Sequence, residues 1–278
     1  MKHRGKGKLI AEGKTKRVYA HLGIPYEVLI ESKDDITAGD GVRHDVMPGK
    51  GEFATETTCN CFRLLAQNRI PNHFIQMVTP NMFRASRLRM IPMELVARRI
   101  ATGSFLKRKP DVQEGTRFPK ILIEFFLKDD ANHDPLMLWN KTCSCFSFHD
   151  PKKPMGKSRL KEFSPSVNGL PTKIEQVMQL MDLTGDTFFA LEKAWAKQEV
   201  TLVDLKIECG VDAETGKVLV GDVIDNDSWR IWPKGDKSRM LDKQLYRDLA
   251  EPTADVLAII SANYAAVQLA TRKFVPIA

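Results

Sequence analysis

Apolar and charged residues alternate strictly along residues 203–209 of this chain, within the segment 201–210. The charged positions are Asp204, Lys206 and Glu208, and the positions between them are apolar. A repeat of two residues is typical of a β-strand with one apolar face and one charged face. Because charges of both signs share one face, this strand could hold a metal ion and an anion together.

A second β-like segment, residues 217–224, carries Asp222, and turn-forming residues separate it from the first segment. A hairpin that pairs Glu208 with Asp222 would be centred on residue 215, inside that turn. Two carboxylates would then meet on neighbouring strands, and hard oxygen ligands of this kind suit Mg²⁺, which keeps waters and takes substrate phosphates. A ladder of surface salt bridges is the alternative interpretation.

The remaining periodicity predicts an α+β fold, with strands dominating the first third and helices the last. The expected strands are 8–11, 17–21, 27–31, 74–78, 93–97 and 120–127, and the expected helices are 52–68, a long helix from about 174 to 195, and a tail over 241–271. Thr172 and Glu175 read as a capping box for the long helix, and Gly185 predicts a break in it. Residues 148–171 read as an irregular connection. This order favours two lobes with a cleft between them.

Length and composition suit a soluble enzyme. The chain has 278 residues, 43% hydrophobic and 28% charged, which is enough for one large domain or two joined lobes. The absence of an apolar run of 18 residues, and of a signal peptide, leads us to expect a cytoplasmic protein.

The net charge of +7 is compatible with nucleic acid, an acidic membrane surface or small polyanionic substrates. The sequence contains no zinc finger, basic zipper or RNA-binding aromatic motif, so nucleic acid has no support beyond charge.

The five cysteines predict reduced thiols. Cys59 and Cys61 are two positions apart, as are Cys143 and Cys145, and the odd count shows no disulfide framework. A zinc site built from the two C-x-C pairs is a less favoured alternative, because structural zinc sites usually use longer spacings.

Two segments combine a glycine with cationic side chains. Gly13 lies between two predicted strands and allows a ligand to approach the backbone, while Lys14 and Lys16 can face phosphates. Arg98 and Ser104 flank a glycine after an apolar strand, which suits an oxyanion or phosphate. Each segment alone is equally compatible with an ordinary surface turn or loop.

Two more segments carry candidate polar contacts. Thr37 and Asp40 lie in a glycine-containing turn that could bind polar oxygens of a ligand. Lys128 and Asp134 bound an acid-rich segment that could bind a metal or an amine. Taken alone, the first reads as a plain turn and the second as a solvated loop.

Together these segments resemble the SAICAR synthase family (phosphoribosylaminoimidazole-succinocarboxamide synthases of purine biosynthesis). Residues 91–104 and 202–210 look like the family's signature stretches, and the resemblance runs from about residue 8 to residue 250. Residues 225–232 look closer to the animal-type branch, in which the synthase can be fused to a carboxylase domain, and this chain is too short to hold that second domain.

The resemblance implies an ATP-dependent ligase. It would join L-aspartate to the carboxylate of CAIR, the carboxylated aminoimidazole ribotide, and give SAICAR, ADP and phosphate. It implies ATP and Mg²⁺ as cofactors. ATP would bind between two lobes of one domain, a nucleotide lobe (1–92) and a larger substrate and metal lobe (93–278). The implied fold is similar to that of protein kinases and ATP-grasp enzymes. The implied partners are these small molecules, with no nucleic acid and no membrane, and a homo-oligomer is compatible with the sequence.

The resemblance also implies roles for individual side chains. Glu208 and Asp222 would bind Mg²⁺, and Gly13, Lys14 and Lys16 would contact ATP. Asp204 and Lys206 would be catalytic, and the ribotide phosphate would be held by Arg98, Ser104 and Arg230. The imidazole or aspartate would be contacted by Thr37, Asp40, Lys128 and Asp134. The alternative function is a kinase of related fold that phosphorylates a small-molecule hydroxyl. A kinase would need a catalytic-loop aspartate as base, and the sequence contains no His-Arg-Asp segment.

Overall fold

Two antiparallel sheets carry most of the ordered strands. The computed structural model describes residues 5–39, 42–163, 165, 167–248 and 253–275. Within these residues the α-helices are α1 (Lys50–Gln67), α2 (Ser104–Arg108), α3 (Ile174–Ala196), α4 (Gln244–Asp248) and α5 (Ala254–Thr271). The predicted α+β class follows from this mixture of sheets and helices.

The N-terminal sheet has five strands in the order β1-β2-β3-β7-β6. These strands are β1 (Lys6–Glu12), β2 (Lys16–His21), β3 (Glu27–Ser32), β6 (Phe74–Thr79) and β7 (Met82–Ser86). Helix α1 packs on this sheet through Cys59, which lies in one apolar cluster with Phe83. A separate hairpin is formed by β4 (Asp35–Ala38) and β5 (Arg43–Val46).

The second sheet has eight strands built around β13 (Val200–Asp212), the longest strand described. Its other strands are β8 (Leu88–Met90), β9 (Met93–Ile100), β10 (Arg117–Leu127), β11 (Leu136–Asn140), β12 (Cys145–His149), β14 (Val218–Gly221) and β15 (Trp229–Pro233). Strand β13 pairs with β9 on one side, and with β15, β14 and β8 along its length. This position places its side chains at the centre of the sheet.

The predicted alternation in β13 is confirmed from Asp204 onward, whereas Val203 lies in a separate apolar cluster with Ile100 and Trp232, at an irregularity in the pairing with β15. Leu205 and Ile207 are buried in the main hydrophobic core, beneath α3 residues such as Trp195. Asp204 and Glu208, on the opposite face, are buried as well. The charged face of the strand is therefore withdrawn from bulk water, which strengthens electrostatic interactions there.

The predicted hairpin register is wrong by one residue. Glu208 pairs with Gly221 rather than with Asp222. The Asp212 carboxylate accepts hydrogen bonds from the backbone N–H groups of Glu214 and Thr215, at 3.1 and 2.7 Å, and so closes the turn earlier than expected. Asp222 follows the end of β14 in a left-handed conformation, with φ of 60°, so the strand stops before residue 224.

The long helix α3 continues through Gly185, so the predicted break is wrong. A Cβ atom added to Gly185 would lie 3.9 Å from side-chain atoms of Ile121 and Ile123, an ordinary van der Waals distance, so the packing of α3 on β10 does not itself require a glycine there. The cap also differs from the prediction. Gln176, rather than Glu175, accepts hydrogen bonds from the backbone N–H groups of Thr172 and Lys173, at 2.9 and 3.2 Å.

The prediction of five reduced thiols is also wrong. Cys143 and Cys145 form a disulfide with a Cα–Cα distance of 5.3 Å. They lie at the tip of the β11–β12 hairpin, where Ser144 adopts a left-handed conformation (φ 48°) and brings the two cysteines together. The other cysteines are free and buried, and burial raises the pKa of Cys59 and Cys209 to about 12.

The predicted C-terminal helical tail is divided into α4 and α5, and residues 249–252 between them lie outside the described part. The segment Ala254–Phe274 has a mean hydropathy of 1.2 and a length that could cross a membrane, with 22% of it buried. One side of α5 carries buried Ile260, Tyr264 and Val267, and α5 packs against α1. That side of the helix belongs to the core of the folded protein.

Candidate active site

A cleft of about 520 Å³ opens above the charged face of β13. Lys14, from the β1–β2 turn, and Thr37, from β4, line it from the N-terminal side. Asp204 and Lys206 line it from the large sheet. The cleft thus collects side chains that are far apart in sequence.

Asp204 lies between two arginines on the strands that flank β13. It pairs in register with Arg98 on β9 and with Arg230 on β15. Nη1 of Arg98 donates to Asp204 at 2.7 Å, and Nη1 of Arg230 donates to the same carboxylate oxygen at 2.5 Å. Because the carboxylate is mostly buried, these charge-assisted bonds hold both guanidinium groups in fixed positions.

The row of charges continues beyond Arg98 to Glu124 and Arg108. Glu124 accepts a hydrogen bond from Nε of Arg98 at 2.6 Å and another from Nη2 of Arg108 at 2.6 Å. The whole row contains three guanidinium groups and two carboxylates, so one positive charge within it is uncompensated. Ser104 lines the cleft beside this row, and the combination suits a bound anion such as a phosphate.

Gly103 allows the loop before α2 to lie against Arg230. Its φ of 61° is in the left-handed region, and an added Cβ atom would lie only 2.6 Å from Nη2 of Arg230. A larger residue would therefore clash with the guanidinium as well as strain the backbone. The glycine between Arg98 and Ser104 is needed for both reasons.

Glu208 and Asp222 come together at the other end of the charged face, although they are not paired in register. Nζ of Lys128 donates to both carboxylate oxygens of Glu208, at 2.8 and 2.7 Å, and Nζ of Lys16 donates to Asp222. Burial and the negative charge of Asp222 raise the pKa of Glu208. Burial also acts to raise the pKa of Asp222, but the ammonium groups of Lys16, Lys128 and Lys206 together outweigh it and lower that pKa.

Lys206 stands between these two ends. Its Nζ lies 2.5 Å from Glu94 and 3.9 Å from Glu208, and its side chain is 36% exposed at the cleft. Burial acts to lower the pKa of Lys206, but the carboxylates of Glu94 and Glu208 outweigh it and raise the pKa above its usual value. The side chain is therefore a fixed positive charge rather than a base.

Lys14 reaches across the cleft mouth, where its Nζ lies 3.0 Å from Asp130. Gly13 closes the same turn through a backbone hydrogen bond from its N–H to the carbonyl of Lys16, at 2.9 Å. The nearest atom to an added Cβ at Gly13 would be 3.9 Å away, so packing alone does not require a glycine there. Gly13 does not line the cleft itself.

The structure places the weaker candidates in different surroundings. Thr37 and Asp134 both line the cleft. Burial raises the pKa of Asp134, whose carboxylate accepts a hydrogen bond from the backbone N–H of Asp129 at 2.8 Å. Lys128 contacts Glu208 rather than lining the cleft, and Asp40 lies outside the described residues.

Several charged residues of the site were not among the sequence candidates. Glu94 could have been found, since it shares the alternating face of β9 with Arg98. Glu124 and Arg108 carry no local signal, because their role depends on the pairing of β10 with β9. Asp227 and Lys243 also line the cleft and form an ion pair at 2.8 Å.

Comparison with known proteins identifies the family of this site. The SAICAR synthetase family model matches residues 9–259 of the chain.

The chain belongs to the SAICAR synthetase family.

Its relatives agree along nearly its whole length. The phosphoribosylaminoimidazole-succinocarboxamide synthase of Roseiflexus sp. (strain RS-1) is 44% identical over 269 residues, covering 97% of this chain and 98% of the relative. The enzyme of the same name from Chloroflexus aggregans is 47% identical over 262 residues, covering 94% of each. A solved structure, a SAICAR synthetase (Type-2) in complex with ADP, is 25% identical with a TM-score of 0.73 and covers 92% of this chain and 97% of its own.

Membership of this family makes the chain an ATP-dependent ligase of purine biosynthesis. The predicted α+β fold of this family is confirmed. The kinase alternative is not favoured. The assignment of roles to individual side chains is a separate question, which depends on the geometry of the cleft.

Proposed function

We propose that the cleft-facing side of β13 positions CAIR along its length for ligation to L-aspartate. The observation that carries this proposal is that the two ends of one face of β13 carry groups of opposite charge. Asp204 and Glu208 are four residues apart, roughly 13 Å along a β-strand. One end is an arginine row with excess positive charge, and the other is a pair of carboxylates. The phosphate and the reacting carboxylate of CAIR likewise lie at opposite ends of that molecule.

The arginine row binds the ribotide phosphate in this proposal. Arg98 and Arg230 present guanidinium groups that the Asp204 carboxylate already orients, and Ser104 supplies a hydroxyl donor beside them. The uncompensated positive charge of the row attracts a dianion, and the fixed geometry reduces the entropy lost on binding.

Glu208 and Asp222 hold Mg²⁺ in this proposal, and the donor set fits that ion. Both groups are carboxylates, their mutual repulsion raises the pKa of Glu208, and a divalent cation would remove that repulsion. Mg²⁺ with few protein ligands keeps sites for phosphate oxygens, and it would neutralise charge on the ATP phosphates. Lys14 and Lys16, in the turn that Gly13 begins, approach Glu208 and Asp222 from the N-terminal sheet, where the nucleotide is proposed to bind.

The arrangement of the two sheets supports the proposed position of the nucleotide. In chain order, β7 is the last strand of the five-stranded sheet, and β8 already pairs with β13 in the second sheet. The chain thus passes from one sheet to the other between Ser86 and Leu88, which supports a division close to the predicted nucleotide lobe (1–92) and substrate lobe (93–278), with ATP between them. We also propose a cytoplasmic enzyme that uses only small molecules, because three anionic substrates would account for the net charge of +7.

The chemical steps follow from carboxylate chemistry. An oxygen of the CAIR carboxylate attacks the γ-phosphorus of ATP, the bond to the β,γ-bridging oxygen breaks, and ADP leaves. The aspartate amine then attacks the carbon of the resulting acyl phosphate, and phosphate leaves with one oxygen of the original carboxylate while the nitrogen loses a proton. In this proposal Lys206 faces the negative charge that develops in both steps, and such fixed charges supply much of the stabilisation in reactions of this type.

Thr37, Asp40, Lys128 and Asp134 complete the proposed site as contacts for the imidazole and for aspartate. Thr37 and Asp134 have the clearer support, since both line the cleft. Lys128 would act instead from the proposed metal site, where it contacts Glu208.

The experiment is a substrate-omission assay combined with isotope transfer. ADP release should require CAIR, and a stable product should require aspartate as well. With CAIR labelled with ¹⁸O in its carboxylate, one labelled oxygen should appear in the released phosphate. Unlabelled phosphate, or a stable phosphorylated product without aspartate, would overturn the proposed chemistry.

A further inference from the structure

The backbone of Asp222 is held in an uncommon conformation where β14 ends. Its φ of 60° lies in the left-handed region, which residues other than glycine rarely adopt. A conformation of this kind persists only where the surrounding structure fixes it, and such residues cluster at functional sites. The groups that contact this backbone therefore also decide where the Asp222 carboxylate points.

The side chain of His73 fixes the backbone of Asp222. The imidazole Nε2 lies 3.0 Å from the carbonyl oxygen of Asp222. Because a carbonyl oxygen can only accept a hydrogen bond, Nε2 carries the hydrogen and donates it. His73 is only 3% exposed, and burial lowers its pKa to about 4, so the ring is neutral near pH 7. The donor therefore brings no positive charge to the two carboxylates.

The main chain of the same segment holds β14 just before Asp222. The N–H of His73 donates to the carbonyl of Val220, and the N–H of Val220 donates to the carbonyl of Pro71, both at 3.0 Å. Asn72 thus forms a parallel bridge with Val220. Residues 71–73 act as a short added strand beside β14, and the imidazole continues the hydrogen bonding past the end of that strand.

The imidazole is itself held by the N-terminal sheet and its helix. It packs edge-on against Phe62 of α1 and Phe83 of β7, with ring centroids 5.1 and 5.9 Å away. The carbonyl of His73 accepts a hydrogen bond from the N–H of Ser86, the last residue of β7, at 2.8 Å. These contacts attach the ring, and through it Asp222, to the N-terminal sheet.

We propose that His73 is a positioning residue for the metal site, which directs the Asp222 carboxylate toward an ion shared with Glu208. This inference rests on the proposed function, in which the two carboxylates hold Mg²⁺. Without the hydrogen bond to its carbonyl, Asp222 would be free to leave the left-handed region, and its carboxylate would turn away from Glu208. Groups that orient a metal ligand typically contribute roughly 10- to 100-fold to metal affinity or activity.

A packing role is the alternative for a buried imidazole, and two substitutions separate the roles. His73→Phe keeps a ring between Phe62 and Phe83 but removes the donor. His73→Gln removes the ring but keeps an N–H close to the position of Nε2. If His73 positions Asp222, the glutamine variant should bind metal more tightly than the phenylalanine variant. If His73 only fills space, the order should be reversed.

Binding of Mn²⁺ alone to the full chain provides a measurement that needs no turnover, with free Mn²⁺ measured by electron paramagnetic resonance. His73→Phe should raise the Mn²⁺ dissociation constant roughly tenfold or more, and His73→Gln should stay close to the wild-type value. His73→Leu, which also lacks a donor, replaces the phenylalanine variant if that one does not fold.

Thr58→Val is the matched control. Thr58 is fully buried, and its hydroxyl donates to the carbonyl of Ile224 at 3.2 Å, two residues beyond Asp222. This variant also removes a buried donor to the same segment, so it should lower the melting temperature as His73→Phe does. It should leave Mn²⁺ binding unchanged, because Ile224 is not a metal ligand.

Asp222→Asn, measured in parallel, distinguishes failure of this inference from failure of the proposed metal site. If Asp222→Asn leaves Mn²⁺ binding unchanged, the metal site is wrong and the role of His73 is wrong with it. If Asp222→Asn weakens binding but His73→Phe does not, the metal site stands and the inference about His73 is overturned. The same conclusion holds if His73→Gln binds Mn²⁺ more weakly than His73→Phe, or if Thr58→Val weakens binding as much.

Discussion

Replacement of Arg98 by methionine tests the arginine row directly. Arg98 donates to Glu124 at 2.6 Å and to Asp204 at 2.7 Å, and methionine keeps much of its volume without its charge. The net charge of the row would fall from one positive charge to zero. The ribotide phosphate would then lose a charge-assisted contact, which is worth roughly 1.5–3 kcal/mol. The KM for CAIR should therefore rise roughly 10- to 150-fold, while the KM for ATP should change little.

The same substitution also has a structural cost. Removing one partner from a buried ion pair destabilises a protein by roughly 3–5 kcal/mol, although Arg108 and Arg230 still pair with the two carboxylates. The kinetic assay must therefore run well below the melting temperature of the variant, with circular dichroism to confirm that it is folded.

Arg99 provides a matched control because it is the next residue on the same strand and points to the other face. It is also buried, and it forms two hydrogen bonds to Glu192, at 2.6 and 2.8 Å. Arg99→Met should lower stability to a similar extent and leave the KM for CAIR unchanged. The reasoning fails if Arg98→Met raises both KM values equally, or if Arg99→Met raises the KM for CAIR as much.

Three other predictions follow from the structure. Glu208→Gln and Asp222→Asn should each remove most of the activity and raise the Mg²⁺ concentration required, without unfolding the protein. If both variants keep activity within a few-fold of wild type, the metal ion must bind elsewhere. Trypsin should cut first in the Lys-rich connection at residues 148–166, and bound substrates should slow that cut because Lys152 lines the cleft. First cleavage in the N-terminal strands would contradict this. Burial raises the pKa of Asp242 to about 6 from an ordinary 3.8, so its contribution to stability is present below pH 3.8 and is lost as the pH rises through 6. The free energy of unfolding of the wild type relative to Asp242→Asn should therefore fall by about 2 kcal/mol between pH 4 and pH 7 in denaturant titrations, and a pH-independent difference would refute the assignment.

The sequence by itself determined which residues share a face. The alternation in residues 203–209 placed Asp204, Lys206 and Glu208 together, and the structure confirms this arrangement of the three charged residues on β13. Such predictions succeed because the direction of a side chain in a strand depends only on its position within that strand.

Only the tertiary structure decided which residues meet across strands. Asp204 contacts Arg98, 106 residues away, because β9 happens to lie beside β13. Glu124 joins the row because β10 lies beside β9, and nothing near it in sequence indicates that neighbour. The order of strands in a sheet results from the packing of the whole chain, so local periodicity does not encode it.

The hairpin between β13 and β14 shows what the local sequence determines and what the packing of the whole chain determines. The sequence located the turn, but the hydrogen bonds of Asp212 to Glu214 and Thr215 set its closing point and shifted the register by one residue. Asp222 nevertheless approaches Glu208, because its left-handed backbone conformation follows directly after the strand. Local pattern selects the face of a strand, whereas register and neighbours depend on contacts that form only when distant segments pack together.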